Sequence, residues 1–244
     1  MAGKKETAKD RAARLAAARA AQRKAERRRN LLMAAGVVLT MVLLVVGGIV
    51  LGNLTGGDKP RDTAAAGDAG SVTIGPDGAA HKVVIYEDFL CPYCGELEKQ
   101  THEKLAELAE AGKVQVEYRP FDLLQTDYSE TTLEVFQAIV HGDAEDAQTV
   151  AKAFHDALYA DQPSESGPFP STDDIVATAV DAGADESAIR DALDGDAPTW
   201  ADEATSAAES AGVRSTPTVL LDGSEFTSGS SVDDLAAGLI AAVS

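Results

Sequence analysis

Cysteine is almost absent from this chain: there are two in 244 residues. That number excludes a disulfide-dense scaffold and a self-sufficient four-cysteine metal site. Histidine is scarce as well. The four, His81, His102, His141 and His155, have no close spacing and supply no second ligand pair for zinc, so they read as surface or helix-face residues. Basic residues are nearly missing from most of the chain. Eleven of the 21 Lys+Arg fall within residues 1–30, beside only 3 of the 40 Asp+Glu. The other 10 face 37 acidic residues in 58–244, and a surface of that sign repels phosphates, which excludes nucleic acid as its partner. Charge of either sign is absent from residues 31–57.

That uncharged stretch contains LLMAAGVVLTMVLLVVGGIVL, Leu31 to Leu51. As a helix it would span roughly 30 Å, the thickness of a bilayer's hydrocarbon core. Arg27, Arg28 and Arg29 precede it, while the far side offers only Lys59 and Arg61. The positive-inside rule makes residues 1–30 a basic cytoplasmic arm, 31–52 a single transmembrane helix, and everything beyond extracytoplasmic. The arm is Ala/Arg/Lys-rich and suited to anionic lipids. A cleaved signal peptide is the competing reading. Against it stand an n-region of about 30 residues and an apolar run longer than the usual ~7–15. Residues 53–70 are Gly, Ala, Asp, Thr and Pro with little to bury, a flexible linker with a span of about 23 Å. The remaining 71–244 is long enough for a proper single core.

Within that part, elements alternate in type. Val83-Val84-Ile85-Tyr86 is a short apolar run, expected as a strand covered on both faces. Cys94, Leu97, Thr101, Leu105 and Leu108 then recur at steps of three and four, so Cys91 to Ala111 is an amphipathic helix closed by Gly112. Val114, Val116 and Tyr118 alternate with Gln115, Glu117 and Arg119, a strand with one face covered. About 129–212 is helical, with stripes at Leu133, Phe136, Ile139 and Val140, at Val150, Phe154 and Leu158, and at Ile175, Val176, Ala179 and Val180. Ser171-x-x-Asp174 caps the third stripe. Trp200, Phe136 and Phe154 are expected in the core. Thr218–Leu221 is a strand, Asp222-Gly223 a hairpin turn, and Ser231-x-x-Asp234 opens a last helix. The fold class is α/β: β-α-β, a helical block, then β-β-α.

Chemistry is concentrated in Cys91-Pro92-Tyr93-Cys94, which follows an apolar strand and opens a helix. At a helix N-terminus, unsatisfied N–H groups and the macrodipole favour a thiolate. Pro92 suits the first helical position. Cys94 lies one turn deeper, so the two sulfurs can close a disulfide, with Cys91 attacking and Cys94 resolving. Two structural cysteines, or half of a zinc site, are the other readings of the same spacing.

The sequence resembles the DsbA family of extracytoplasmic thiol–disulfide oxidoreductases over roughly residues 72–244. Three features carry the resemblance: the strand running into CPYC, the helical block between the two halves of a thioredoxin fold, and Val213-Arg214-Ser215-Thr216-Pro217-Thr218-Val219. The last is similar to the family's cis-proline loop. The resemblance implies a thioredoxin-like fold with an inserted helical domain, preceded here by one transmembrane helix. It implies that Pro217 is cis and lies against Cys91, and that Thr216 presents its backbone to a substrate strand. It implies no cofactor and no metal.

Two positions depart from the family pattern. A buried acid often stands six residues before the first cysteine; here that residue is Ile85, leaving Glu87 or a water to serve Cys94. The better-known oxidases have His where this chain has Tyr93, and Glu87, Asp88, Glu96 and Glu98 add negative charge around the motif, so the thiolate should be less stabilised. Outside the membrane, disulfides persist. The expected role is therefore an oxidase donating disulfides to exported polypeptides with free thiols, recharged by a membrane redox partner of the DsbB or VKOR type. The expected state is a monomer. Two alternatives remain open: a reductase or isomerase fed by a membrane electron carrier, and a non-catalytic binding or sensor domain with a structural CxxC.

Overall fold

In the computed structural model, residues 70–194 and 200–244 are described. The basic arm, the 31–52 span and nearly all of the 53–70 linker lie outside the described residues. Among the described residues no helix is long and apolar enough to cross a membrane.

The sheet is built around the apolar run. Strand β2 (His81–Glu87) is central, and Val83, Val84, Ile85 and Tyr86 are all 2% exposed or less. It pairs in parallel with β3 (Val114–Pro120) and antiparallel with β4 (Thr218–Leu221). A short β1 (Val72–Ile74) adds antiparallel to β3, and β5 (Ser224–Glu225) to β4, giving the order β1-β3-β2-β4-β5. Three residues of β1 are too few to show a period in sequence; pairing with β3 is what makes them a strand. The β4–β5 turn needs positive φ at both central residues, and Asp222 (50°) and Gly223 (82°) supply it.

Alternation along β2 splits the core. Val83 and Ile85 face the larger cluster, with Leu97, Leu105 and Leu108 of helix α1 (Pro92–Glu110) and Leu239 and Val243 of helix α7 (Val232–Val243). Val84 and Tyr86 face a smaller one with Phe121, Ala208, Val213 and Leu220. On β3, read as covered on one face, Glu117 of the other face is nevertheless buried at 6% exposed, where the Ser71 hydroxyl, Lys82 and Arg119 meet its carboxylate.

Between β3 and β4 lie five helices: α2 (Asp127–Val140), α3 (Ala147–Ala160), α4 (Thr172–Asp181), α5 (Glu186–Asp194) and α6 (Trp200–Ser210). Helix α2 packs against each of the other four, and α3 reaches α1. Ser171 and Asp174 form a reciprocal capping box at the start of α4. Phe136 and Phe154 are fully buried, whereas Trp200 is half-buried and stacks on the exposed His141, ring centroids 4.5 Å apart. Indole packing is thus met at the surface of the block, not in its core.

Candidate active site

Strand β2 delivers the chain to α1 through Asp88, Phe89 and Leu90, all buried. Asp88 is what shapes this turn. Its Oδ1 accepts from the Leu90 N–H (2.8 Å) and the Ser129 hydroxyl (2.9 Å), and its Oδ2 from the N–H groups of Leu123 (2.9 Å) and Leu124 (3.0 Å). Bonds to a charged group are each worth about 1.5–3 kcal/mol, so one carboxylate ties the turn to α2 and the loop before it. From the far side, the Gln162 amide donates to the carbonyls of Phe89 (2.9 Å) and Cys91 (3.0 Å).

Cys91 sits at the N-cap of α1 in extended conformation, with Pro92 starting the helix. Pro92 is exposed and Tyr93 half-buried. Cys91 is 5% exposed, Cys94 1%, and both are free thiols. The Thr216–Pro217 peptide bond is cis, and the Thr216 carbonyl lies 3.6 Å from Cys91 Sγ. The loop expected beside the first cysteine is therefore beside it. Thr216 is buried and Pro217 half-buried.

The two thiols differ sharply. Cys91 is lowered to about 7, first because the Cys94 thiol donates to it; burial opposes this, and Thr216 and the N–H groups of Cys94 and Tyr93 add to it. Burial pushes Cys94 well above the usual thiol range, with Cys91 and Glu87 adding to the rise. The helix terminus thus helps, but the neighbouring thiol does more. Of the acidic residues around the motif, Glu87 bears on Cys94.

Sequence reasoning missed His155. Read as a surface or helix-face residue, it is fully buried. Its Nε2 lies 2.7 Å from Glu87 Oε1 and its Nδ1 3.0 Å from Asp156 Oδ1. Burial alone would depress its pKa, but Glu87 and Asp156 lift it to about 9. Phe89, Tyr118 and Tyr159 surround the ring. The signal was present: Ala151, Phe154, His155 and Leu158 share one apolar stripe. Glu98, buried on α1, is raised to about 7, first by burial and also by Glu87. Donor atoms of Glu87, Glu98 and His155 lie within 4.8 Å of one another. Both ring nitrogens of His155 face carboxylates, Nε2 toward Glu87 and Nδ1 toward Asp156.

The thioredoxin family pattern matches residues 68–240, most of the chain. The chain belongs to the thioredoxin family. A relative described as "probable disulfide bond formation protein D", from Bacillus anthracis, is 28% identical over 138 residues, which is 56% of this chain and 61% of that protein. Among solved structures, the reduced disulfide bond oxidoreductase DsbG of Mycobacterium tuberculosis superposes with a TM-score of 0.60 at 23% identity, over 76% of this chain and 90% of that one. BdbD of Bacillus subtilis, in its oxidised form, gives 0.61 at 16% identity, over 71% and 92%. These likenesses establish a thioredoxin fold; in this chain Cys91 stands at the N-cap of α1, and the helical block lies between β3 and β4.

Proposed function

We propose that this thioredoxin-family chain is an extracytoplasmic thiol:disulfide oxidoreductase of the DsbA type, donating disulfides to exported polypeptides with free thiols. The asymmetry of the two thiols carries the reading: Cys91 is drawn down to about 7 beside Thr216–Pro217, while Cys94 is pushed up. A thiolate near neutral pH is both the better nucleophile population and the better leaving group. The name of the Bacillus anthracis relative supports the same chemistry.

In the oxidised form, a substrate thiolate attacks Cys91 Sγ, and the Cys91–Cys94 bond breaks with its electron pair left on Cys94. A second substrate thiolate then attacks the substrate sulfur of the mixed disulfide, and Cys91 departs as thiolate. The substrate loses two electrons and the CxxC gains them. Thr216 presents its backbone to the extended substrate and Pro217 shapes that surface. A membrane partner of the DsbB or VKOR type removes the electrons through Cys91. Residues 31–52 anchor the chain in the membrane, and the arm 1–30 meets anionic lipids on the cytoplasmic side.

The test separates the cysteines. An alkylating reagent at mildly acidic pH should label Cys91 of the reduced protein far faster than Cys94. Cys94→Ala should accumulate mixed disulfides with exported proteins, because the resolving thiol is gone. Accumulation by Cys91→Ala instead would reverse the assignment. In intact cells an oxidised CxxC supports the donor reading, and a reduced one the reductase alternative.

A further inference from the structure

Glu87 of β2, Glu98 of α1 and His155 of α3 converge in the interior, none of them more than 3% exposed. A donor atom of each lies within 4.8 Å of the other two. Ligands of one zinc-sized ion, each at about 2.0–2.2 Å from it, stand no more than about 4.4 Å apart. Small side-chain shifts therefore separate this spacing from a coordination shell. The carboxylates have bonding capacity to spare: both oxygens of Glu98 and the Oε2 of Glu87 lack a hydrogen-bond partner among the described residues, as does the Tyr118 hydroxyl. Buried carboxylates are tolerated where a cation or a metal ion meets them. The histidine is oriented as a ligand is. Its Nδ1 faces Asp156 at 3.0 Å, and Asp156 is itself paired with Lys152. A carboxylate that accepts from Nδ1–H fixes the tautomer whose lone pair sits on Nε2, the arrangement found behind metal-ligating histidines. That Nε2 points at Glu87, 2.7 Å from Oε1. Tyr118 on β3 and Lys152, Asp156 and Tyr159 on α3 are the other polar groups around the cluster.

We propose that Glu87, Glu98 and His155 are a binding site for one divalent metal ion of the zinc kind, at the junction of β2, α1 and α3. Neither the spacing of the histidines nor the family resemblance implied it, and it stands apart from the redox reading. Charge selects a divalent ion. Two carboxylates and a neutral imidazole offer two negative charges, while Asp156 and Lys152 cancel each other. On loading, the proton at His155 Nε2 and any proton on Glu98 leave to solvent, and the freed lone pairs bond the ion. Donor type selects among divalent ions. One imidazole nitrogen with carboxylate oxygens suits zinc, whereas calcium takes about six to eight oxygens and magnesium keeps several waters. The second Glu98 oxygen supplies the fourth position. Because its ligands come from three elements, the ion fastens the helical block to the sheet.

The test is zinc binding by the full chain, purified in detergent with the Cys91–Cys94 disulfide closed so that the thiols cannot hold the metal. Zinc is offered to the chelator-treated protein for a day and, separately, during synthesis, because the site is closed to water. Metal analysis after gel filtration should find one zinc per chain. Glu98→Gln, nearly isosteric, should bind more than about a hundredfold more weakly. Asp156→Asn should bind about 10–100-fold more weakly, the usual effect of losing the carboxylate behind a ligating histidine. Cobalt in place of zinc should give visible d–d absorption without a sulfur charge-transfer band. Zinc should raise the melting temperature of the wild type and leave that of Glu98→Gln unchanged. Folded wild type that holds no zinc by either route would overturn the proposal. So would full zinc affinity in Glu98→Gln, whose fold does not depend on His155, or displacement of zinc by equimolar calcium. Should His155→Phe fold, zinc bound to it as to the wild type would overturn it as well.

Discussion

At the scale of single residues, Tyr93 is the position where electrostatics remain adjustable. It is half-buried beside Cys91, and its backbone N–H already contributes to the thiolate. An imidazolium there would add a positive charge that acts on the dithiol form alone. Tyr93→His is expected to lower Cys91 from about 7 by about one further unit, worth about 1.4 kcal/mol. For a two-electron couple that makes the protein about 30 mV more oxidising. Titration of the thiolate absorbance and the glutathione equilibrium measure both quantities. An unchanged value would assign the thiolate's stability to Cys94, Thr216 and the helix end. Asp88 shows a different residue-scale lesson. An acid beside the motif reads in sequence as a negative field, yet its four hydrogen bonds spend the charge on holding backbone and hydroxyl groups.

Elements meet at one buried ion pair: β2 is joined to α3 through Glu87 and His155. This junction has a pH signature. His155 is raised from 6.5 to about 9 in the fold, so the folded state binds its proton more tightly than the unfolded chain. Its contribution, on the order of 3 kcal/mol, is complete below about pH 6.5 and lost as pH rises to about 9. Glu98, raised to about 7, acts with the same sign, its contribution lost between about pH 4.5 and 7. Stability should therefore fall from mildly acidic to alkaline pH. Cys91 opposes this in the reduced protein, because a lowered thiol stabilises the fold as pH rises from about 7 to 9. Denaturant unfolding of Cys91→Ser removes that opposition. A flat profile between about pH 6.5 and 9 would mean that His155 is neutral in the fold.

For the whole molecule, the proposed membrane anchor can be tested by asking on which side of the bilayer the CxxC domain lies. The proposal that 31–52 spans the bilayer, with 1–30 inside, makes protease a direct probe. In spheroplasts, protease should digest residues 71–244 and spare the arm. A protected CxxC domain would reverse the orientation, and a mature chain beginning near Gly67 would show cleavage in place of anchoring. Electron transfer to a membrane partner would then have to dispense with the tether of about 23 Å.

Sequence alone was enough for whatever depends on local pattern. The apolar run of β2, the three- and four-residue steps of α1, Pro92 at the helix start, the Asp222-Gly223 turn and the Ser171 and Ser231 caps are all written in a few neighbouring residues, and each is found where its chemistry places it. The position of Cys91 at the open end of α1 is of this kind. What required the tertiary structure was every relation between distant residues. Glu117 looked like the solvent side of an alternating strand, and it is Ser71, Lys82 and Arg119, brought to it by the fold, that meet its buried carboxylate. His155 lies 68 residues from Glu87 along the chain, and no period or motif links them. Only the packing of α3 against α1 brings its ring over the end of β2. A buried charge is tolerable only where a partner meets it, and which partner arrives is decided by the fold, not by spacing.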